Sequence, residues 1–187
     1  MRRYLLVSLL LLSSFAAYAD ISFDQLARVS TAPDFLKGRF SQQKYLQALD
    51  ASLLSSGEFE YSRGRFIRWN TLAPIQNELT MTPTTIVNKQ ANQASQTLDV
   101  KTNPTVAVLS DILFSVLTAE WGKLSTYFEL KGKIVDDQWQ ASLQPTDASV
   151  AQFVDHVELQ GDGFLRRIVF FEKGGDRTTI DFENLSQ

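Results

Sequence analysis

Between Ser56 and Glu183 the chain returns again and again to short runs in which apolar and polar residues alternate. In Ser56–Tyr61, Phe59 and Tyr61 alternate with Glu58 and Glu60. In Arg65–Trp69, Ile67 and Trp69 alternate with Phe66 and Arg68, and Ser62-Arg63-Gly64 between the two runs is a hairpin turn. Further runs of this kind are Ile75–Met81, Thr84–Lys89, Tyr127–Ile134, Gln138–Leu143, Phe153–Gln160, Phe164–Glu172 and Arg177–Glu183. Asp136-Asp137, Gly161-Asp162-Gly163 and Gly174-Gly175 supply turns between them. Strands so closely spaced leave no room for crossover helices, so the pattern predicts an antiparallel meander rather than alternating βα units.

One segment breaks this rhythm. Thr105–Ala119 carries Leu109, Ile112, Leu113, Val116 and Leu117 at helical spacing and a single charge, Asp111. A helix this apolar must be covered on most sides. A shorter helix is predicted from Ser22, an N-cap with Gln25 as its capping-box partner, and Pro33 ends it or begins a second turn. Asn88–Gln96 is polar throughout and reads as an exposed loop or hairpin tip.

Residues 1–19 read as a cleaved signal peptide. Arg2 and Arg3 precede an apolar stretch from Leu5 to Leu12, and Ala17-Tyr18-Ala19 has the small-x-small pattern of a cleavage site. The apolar stretch is shorter than the ~20 residues that span a bilayer. The mature chain, residues 20–187, is expected to be one exported, soluble domain, periplasmic in a Gram-negative host, with no stable membrane insertion. With 44% hydrophobic residues in a chain of 187, there is apolar material for one substantial core.

Composition and spacing remove several functions. The 18 basic and 21 acidic residues give a net charge of −3 without a basic block, against nucleic-acid binding, which needs concentrated cationic charge. The absence of cysteine rules out disulfides, zinc–thiolate sites and a nucleophilic thiol. His156, the single histidine, shares a strand face with Val154 and Glu158 and is expected toward solvent. No Gly-x-Ser-x-Gly elbow provides a nucleophile for it. Glu58 and Glu60 lie on the polar side of one strand rather than across a cleft. Gly122-Lys123 lacks the upstream glycine of a phosphate-binding loop. The reading is a non-enzyme with no catalytic residue, no metal and no cofactor.

The strand faces are rich in large aromatics, among them Phe59, Tyr61, Trp69, Phe128, Trp139, Phe164, Phe170, Phe171 and Phe182. A curved antiparallel sheet offers an inner side wide enough for a ligand unless its own side chains fill it. An apolar hollow there would favour acyl chains by about 0.8 kcal/mol per methylene removed from water. Periodicity alone leaves a filled core and an open cavity as alternatives.

Leu36-Lys37-Gly38-Arg39-Phe40-Ser41-Gln42 resembles the early F-x-x-x-F-x-Q motif of the LolA family of periplasmic lipoprotein carriers, with Leu36 in place of the first phenylalanine. Gly57 to Trp69 is similar to that family's G-x-L-x-h-x-R-P-x-x-h-x-W signature, where h is hydrophobic. Leu143-Gln144-Pro145 is similar to its later L-x-P. Gly64 stands where the family has proline after the arginine, the mark of a divergent branch.

The resemblance implies a mainly β fold (α+β): an incomplete, strongly curved antiparallel β-barrel with a helical lid over an apolar cavity. It places Ile67 at the cavity, and Phe59, Tyr61 and Trp69 share its inward parity. Phe40, Leu79, Phe128 and Leu130 are assigned to the same lining from the sheet, and Ile112, Leu113 and Leu117 from the helix. Arg63 falls on the family's lid-locking arginine, which hydrogen-bonds to helix backbone carbonyls. Read without the resemblance, it is a solvated hairpin arginine.

The function implied is a monomeric carrier that shields acyl chains of a lipoprotein or other lipid between inner and outer membranes. An inner-membrane donor complex and an outer-membrane acceptor come with the resemblance. The alternative is a non-catalytic interaction module with a filled core that binds a protein partner.

Overall fold

The computed structural model describes residues 21–90, 95–99, 112 and 114–187. The signal peptide, Leu113 and much of the Thr105–Ala119 segment lie outside them. Helix α1 (Phe23–Val29) opens the described chain, with Ser22 accepting from Gln25 N in a capping box and Ser30 as C-cap. Strands β1 (Phe35–Leu46), β2 (Ala51–Ser62), β3 (Phe66–Ala73), β4 (Asn77–Met81), β5 (Thr85–Gln90) and β6 (Gln96–Asp99) follow. Residues 114–117 are helical (α2), as is Ile112. Then come α3 (Trp121–Leu124), β7 (Phe128–Val135), β8 (Gln138–Pro145), α4 (Ala148–Ala151), β9 (Val154–Gly161), β10 (Leu165–Glu172) and β11 (Arg177–Ser186).

All of these strands form one antiparallel sheet in the order β6-β5-β4-β3-β2-β1-β11-β10-β9-β8-β7. It is two meanders, one running out from β1 and the other back from β11, joined where β1 pairs β11. Among the described residues the outer strands β6 and β7 do not pair, so the sheet stays open. The expected open, antiparallel, mainly β architecture is the one found.

Side-chain parity gives the sheet two unlike faces. On the inner face lie Phe59 and Tyr61 of β2, Ile67 of β3, Leu143 of β8, Val157 of β9 and Phe182 of β11, all buried. The outer face carries ion pairs such as Arg68–Glu60 at 3.0 Å and Arg39–Glu58 at 3.9 Å. Both glutamates singled out in the sequence are therefore partners of strand neighbours.

Ring contacts on the inner face report a bend. Trp69 on β3 and Phe182 on β11 are three strands apart, about 14 Å on a flat sheet, yet their ring centroids are 6.0 Å apart. Phe40 on β1 stacks on Trp69 across β2, with centroids at 3.9 Å. Gly57 of β2 makes room for this contact. A Cβ there would lie 2.9 Å from the Phe40 ring and 2.0 Å from the Asn70 carbonyl oxygen.

The structure departs from the sequence reading at two places. Strand β1 has only Leu36 and Phe40 as buried apolar residues, four apart, while Gln42 and Lys44 continue the inner parity, so it shows no period-two run. Strand β4 begins at Asn77, later than Ile75, because the chain bends at Pro74 and Ile75 on leaving β3. The polar run at Asn88–Gln96 links β5 to β6, which pair antiparallel as a hairpin in keeping with the hairpin-tip reading, and its residues 91–94 lie outside the described ones.

Replacing Gly57 by alanine is expected to force Phe40 and the β3 backbone apart, costing about 1–3 kcal/mol of stability. Urea unfolding followed by far-UV circular dichroism measures this directly.

Candidate functional site

Short helices cover the inner face where closing strands are missing. Trp121 and Leu124 of α3, Val116 and Leu117 of α2, Leu26 of α1 and Val150 of α4 are buried in one continuous cluster with the sheet residues. Trp121 meets Trp139 of β8 edge to face at 5.4 Å. Its indole nitrogen donates to the Ser30 hydroxyl at 2.6 Å, and Ser30 donates onward to the Leu26 carbonyl at 2.7 Å. This relay ties α3 to the C-terminal end of α1.

Most of the residues assigned to the cavity meet in this cluster. Phe40, Phe59, Tyr61, Ile67, Ile112, Leu117, Phe128 and Leu130 are buried, and Trp69 and Leu79 are partly buried against them. Leu113 lies outside the described residues. In this conformation the helices rest directly on the apolar face, which accordingly is closed to solvent at its centre: Ile67, Tyr61 and Ile112 are 0% exposed. Phe182, Trp121, Met81 and Leu26 belong to the same cluster and went unassigned. Phe182 showed its aromatic strand parity, whereas the position of Trp121 depends on a helix of four residues with no periodic signal.

Arg63, in the β2–β3 turn beside Gly64 (φ +66°), is bonded rather than solvated. Its Nε donates to the Asp34 carboxylate at 2.9 Å, and Nη2 donates to the Pro33 carbonyl at 3.0 Å and to the Ala32 carbonyl. The guanidinium therefore grips backbone carbonyls as the resemblance implies, but in the link between α1 and β1 and not in a helix. A fork of five donors suits carbonyls that no ladder satisfies.

Polar groups buried on this face are not all satisfied. The Trp139 indole nitrogen donates to the Asp162 carbonyl at 2.5 Å. By contrast the hydroxyls of Tyr61, Ser115 and Thr118 have no hydrogen-bond partner, as is also true of the Oδ1 atoms of Asn77 and Asn88. Burial holds the Tyr61 hydroxyl above its ordinary pKa; Arg63 opposes this, while Glu120 and Asp34 reinforce it. Thr118 lies close enough to influence Tyr61, short of an aligned hydrogen bond.

The outer face holds a groove of about 640 Å³ lined by residues including Ser41, Leu54, Val169, Phe171, Arg177 and Thr179. His156 belongs to this face, half-buried instead of free in solvent. It stacks on Phe171 with centroids 4.0 Å apart, and its Nδ1 lies 2.9 Å from Asp155. Phe171 and Asp155 are neighbours given by strand pairing and sequence, which accounts for the position of the ring without a reaction.

An open antiparallel sheet with its apolar face under short helices defines the class. The family model described as outer membrane lipoprotein carrier protein LolA matches residues 33–187, and the chain belongs to this family. Among solved structures the chain is similar to a LolA superfamily protein from Nitrosomonas europaea, at 10% identity over 88% of this chain and 90% of the other, with a TM-score of 0.48. It is similar to the MucA/MucB complex of Pseudomonas aeruginosa at 15% identity over 87% of this chain, with a TM-score of 0.45, and spans 54% of that chain. It is also similar to a DUF1329 family protein from Desulfovibrio piger at 10% identity over 87% of this chain and 89% of the other, with a TM-score of 0.47. No curated protein matches the sequence. No helix among the described residues is long and apolar enough to cross a membrane.

Because its hydroxyl is buried without a partner, Tyr61 is a position where removing a polar atom relieves a penalty. Tyr61→Phe is expected to leave stability unchanged or raise it by about 1 kcal/mol, read from the denaturant midpoint.

Proposed function

We propose that the protein is a non-catalytic periplasmic carrier that shields the acyl chains of a lipoprotein or another lipid between its sheet and its helices. The observation that carries this reading is the construction of the inner face. It is a continuous apolar surface, and α3 and α4, segments of four residues each, lie over it where strands would close a barrel. Helices this short have little stability of their own and depend on what they pack against. Lifting them exposes a surface that another apolar body can cover equally well. Membership in the family of the outer membrane lipoprotein carrier protein supports the same reading.

Loading then exchanges helix–sheet contact for chain–sheet contact, at about 0.8 kcal/mol per methylene removed from water. An inner-membrane donor and an outer-membrane acceptor complete the proposed route, and the protein works as a monomer in an open–closed equilibrium biased by cargo. Arg63 favours the closed, empty state by holding the link between α1 and β1 through Ala32, Pro33 and Asp34.

A second reading follows from the closure of the inner face in this conformation: a permanently filled core whose outer groove meets a protein partner. An apolar fluorescent probe separates the two. Saturable binding with displacement by fatty acids supports the carrier, as does lipid found by mass spectrometry on gently purified protein; no binding and no lipid would leave the interaction module.

Two substitutions sharpen the test. Ile67→Glu places a charge at the centre of the proposed surface and is expected to abolish probe binding while the far-UV spectrum keeps its β signature. Arg63→Leu unlatches the empty state and thereby shifts the equilibrium toward the loaded one. It is expected to retain acyl binding, at least as tight as in the unaltered protein, and to release the chains to acceptor vesicles more slowly; a release rate equal to that of the unaltered protein would remove the latch.

A further inference from the structure

A buried hydroxyl without a partner loses its water and receives nothing in return, so such groups are scarce in folded proteins. Three of them lie on β2 and on the helical turn at residues 115–118. Tyr61 projects from β2 with 0% exposure, and Ser115 of α2 and Thr118 just after it are 1% and 2% exposed. Ser115 and Thr118 are three residues apart on a helical turn and so share one side of it, and Thr118 lies against the Tyr61 hydroxyl. Elsewhere on this face both fully buried tryptophans, Trp121 and Trp139, have acceptors for their indole nitrogens.

The surroundings grade from apolar to charged. Ile67, paired with Tyr61 across β2 and β3, and Ile112, three residues before Ser115, are both 0% exposed. Beyond them are Arg63, Asp34 and Glu120, whose charges act on the Tyr61 hydroxyl. Their side chains reach solvent, at 34%, 95% and 31% exposure. An acylated amphiphile has the same order: hydrocarbon, then a carbonyl, then a polar head.

We propose that Tyr61, Ser115 and Thr118 form a subsite for the carbonyl oxygen of an acyl ester. This rests on the reading that the inner face holds acyl chains. Each hydroxyl has one hydrogen to donate and a carbonyl oxygen has two lone pairs and nothing to donate, so the two chemistries are complementary. With a chain laid between α2 and the sheet, its first carbonyl falls at the seam and supplies the acceptors that the closed protein lacks. The subsite fixes how far the chain enters, leaving the head group at the charged rim.

The test displaces an apolar fluorescent probe from the full chain with a fatty-acid methyl ester and with an alkane of equal length. The ester-to-alkane affinity ratio is expected to fall about fivefold in Tyr61→Phe, the effect of losing one neutral hydrogen bond. A further fall is expected in the Ser115→Ala, Thr118→Val double variant, which serves as the independent measure should either protein fold poorly. A ratio that stays at the unaltered protein's value in both variants overturns the subsite while leaving the carrier reading intact. Failure of both ligands to displace the probe from the unaltered protein overturns the carrier reading and the subsite with it.

Discussion

The fold depends on the pairing of its first strand with its last. Phe40 and Phe182 face each other across β1 and β11, and both rings run on to Trp69. Every other neighbouring pair in the sheet joins strands adjacent in sequence, which local turns can hold. This one closes a loop of more than a hundred residues, and local propensity does little to meet that entropy. The aromatic cluster supplies directed contact where the closure happens. Because its rings converge from β1, β2, β3 and β11, the same cluster draws the sheet into a bend.

A bent sheet whose edges do not meet has an apolar face that nothing in its ladder covers. Helices cover that surface, and α3 and α4, four residues each, are stabilised by what lies beneath them. The polar chemistry divides accordingly. On the outer face charges pair along and across strands, as Arg68 does with Glu60 and Arg167 with Asp181. On the inner face the unpartnered hydroxyls collect where the cover meets the sheet. Two more unsatisfied atoms, the Oδ1 atoms of Asn77 and Asn88, lie within the sheet on β4 and β5.

The strands between Ser56 and Glu183 were legible because each satisfies one local rule, alternation bounded by turn residues. Strand β1 was not, because its inner face passes from Leu36 and Phe40 to Gln42 and Lys44 as it leaves the covered region. Its motif was readable only through resemblance to a family. The inward parity of Phe59, Tyr61 and Ile67 followed from alternation, and all three are buried. The place of Phe182 beside Phe40 did not, since it depends on a pairing between chain ends that no window of sequence contains. Trp121 was illegible for a different reason: its burial is decided by Ser30 and Trp139, two partners distant in sequence.

The cover is also fastened unevenly. On one side Arg63 holds the α1–β1 link through two carbonyls and a carboxylate, and α1 holds α3 through Ser30. These contacts make the turn between β2 and β3, α1 and α3 one connected unit. On the other side Thr118, just after α2, lies near Tyr61 of β2, and the buried hydroxyls of Tyr61, Ser115 and Thr118 have no aligned hydrogen-bond partner. Residues 114–117 are tied to α3 in turn, since the backbone N–H of Glu120, the N-cap of α3, donates to the Ser115 carbonyl at 2.8 Å. Water returned to the hydroxyls of Tyr61, Ser115 and Thr118 would offset part of the cost of parting this turn from the sheet.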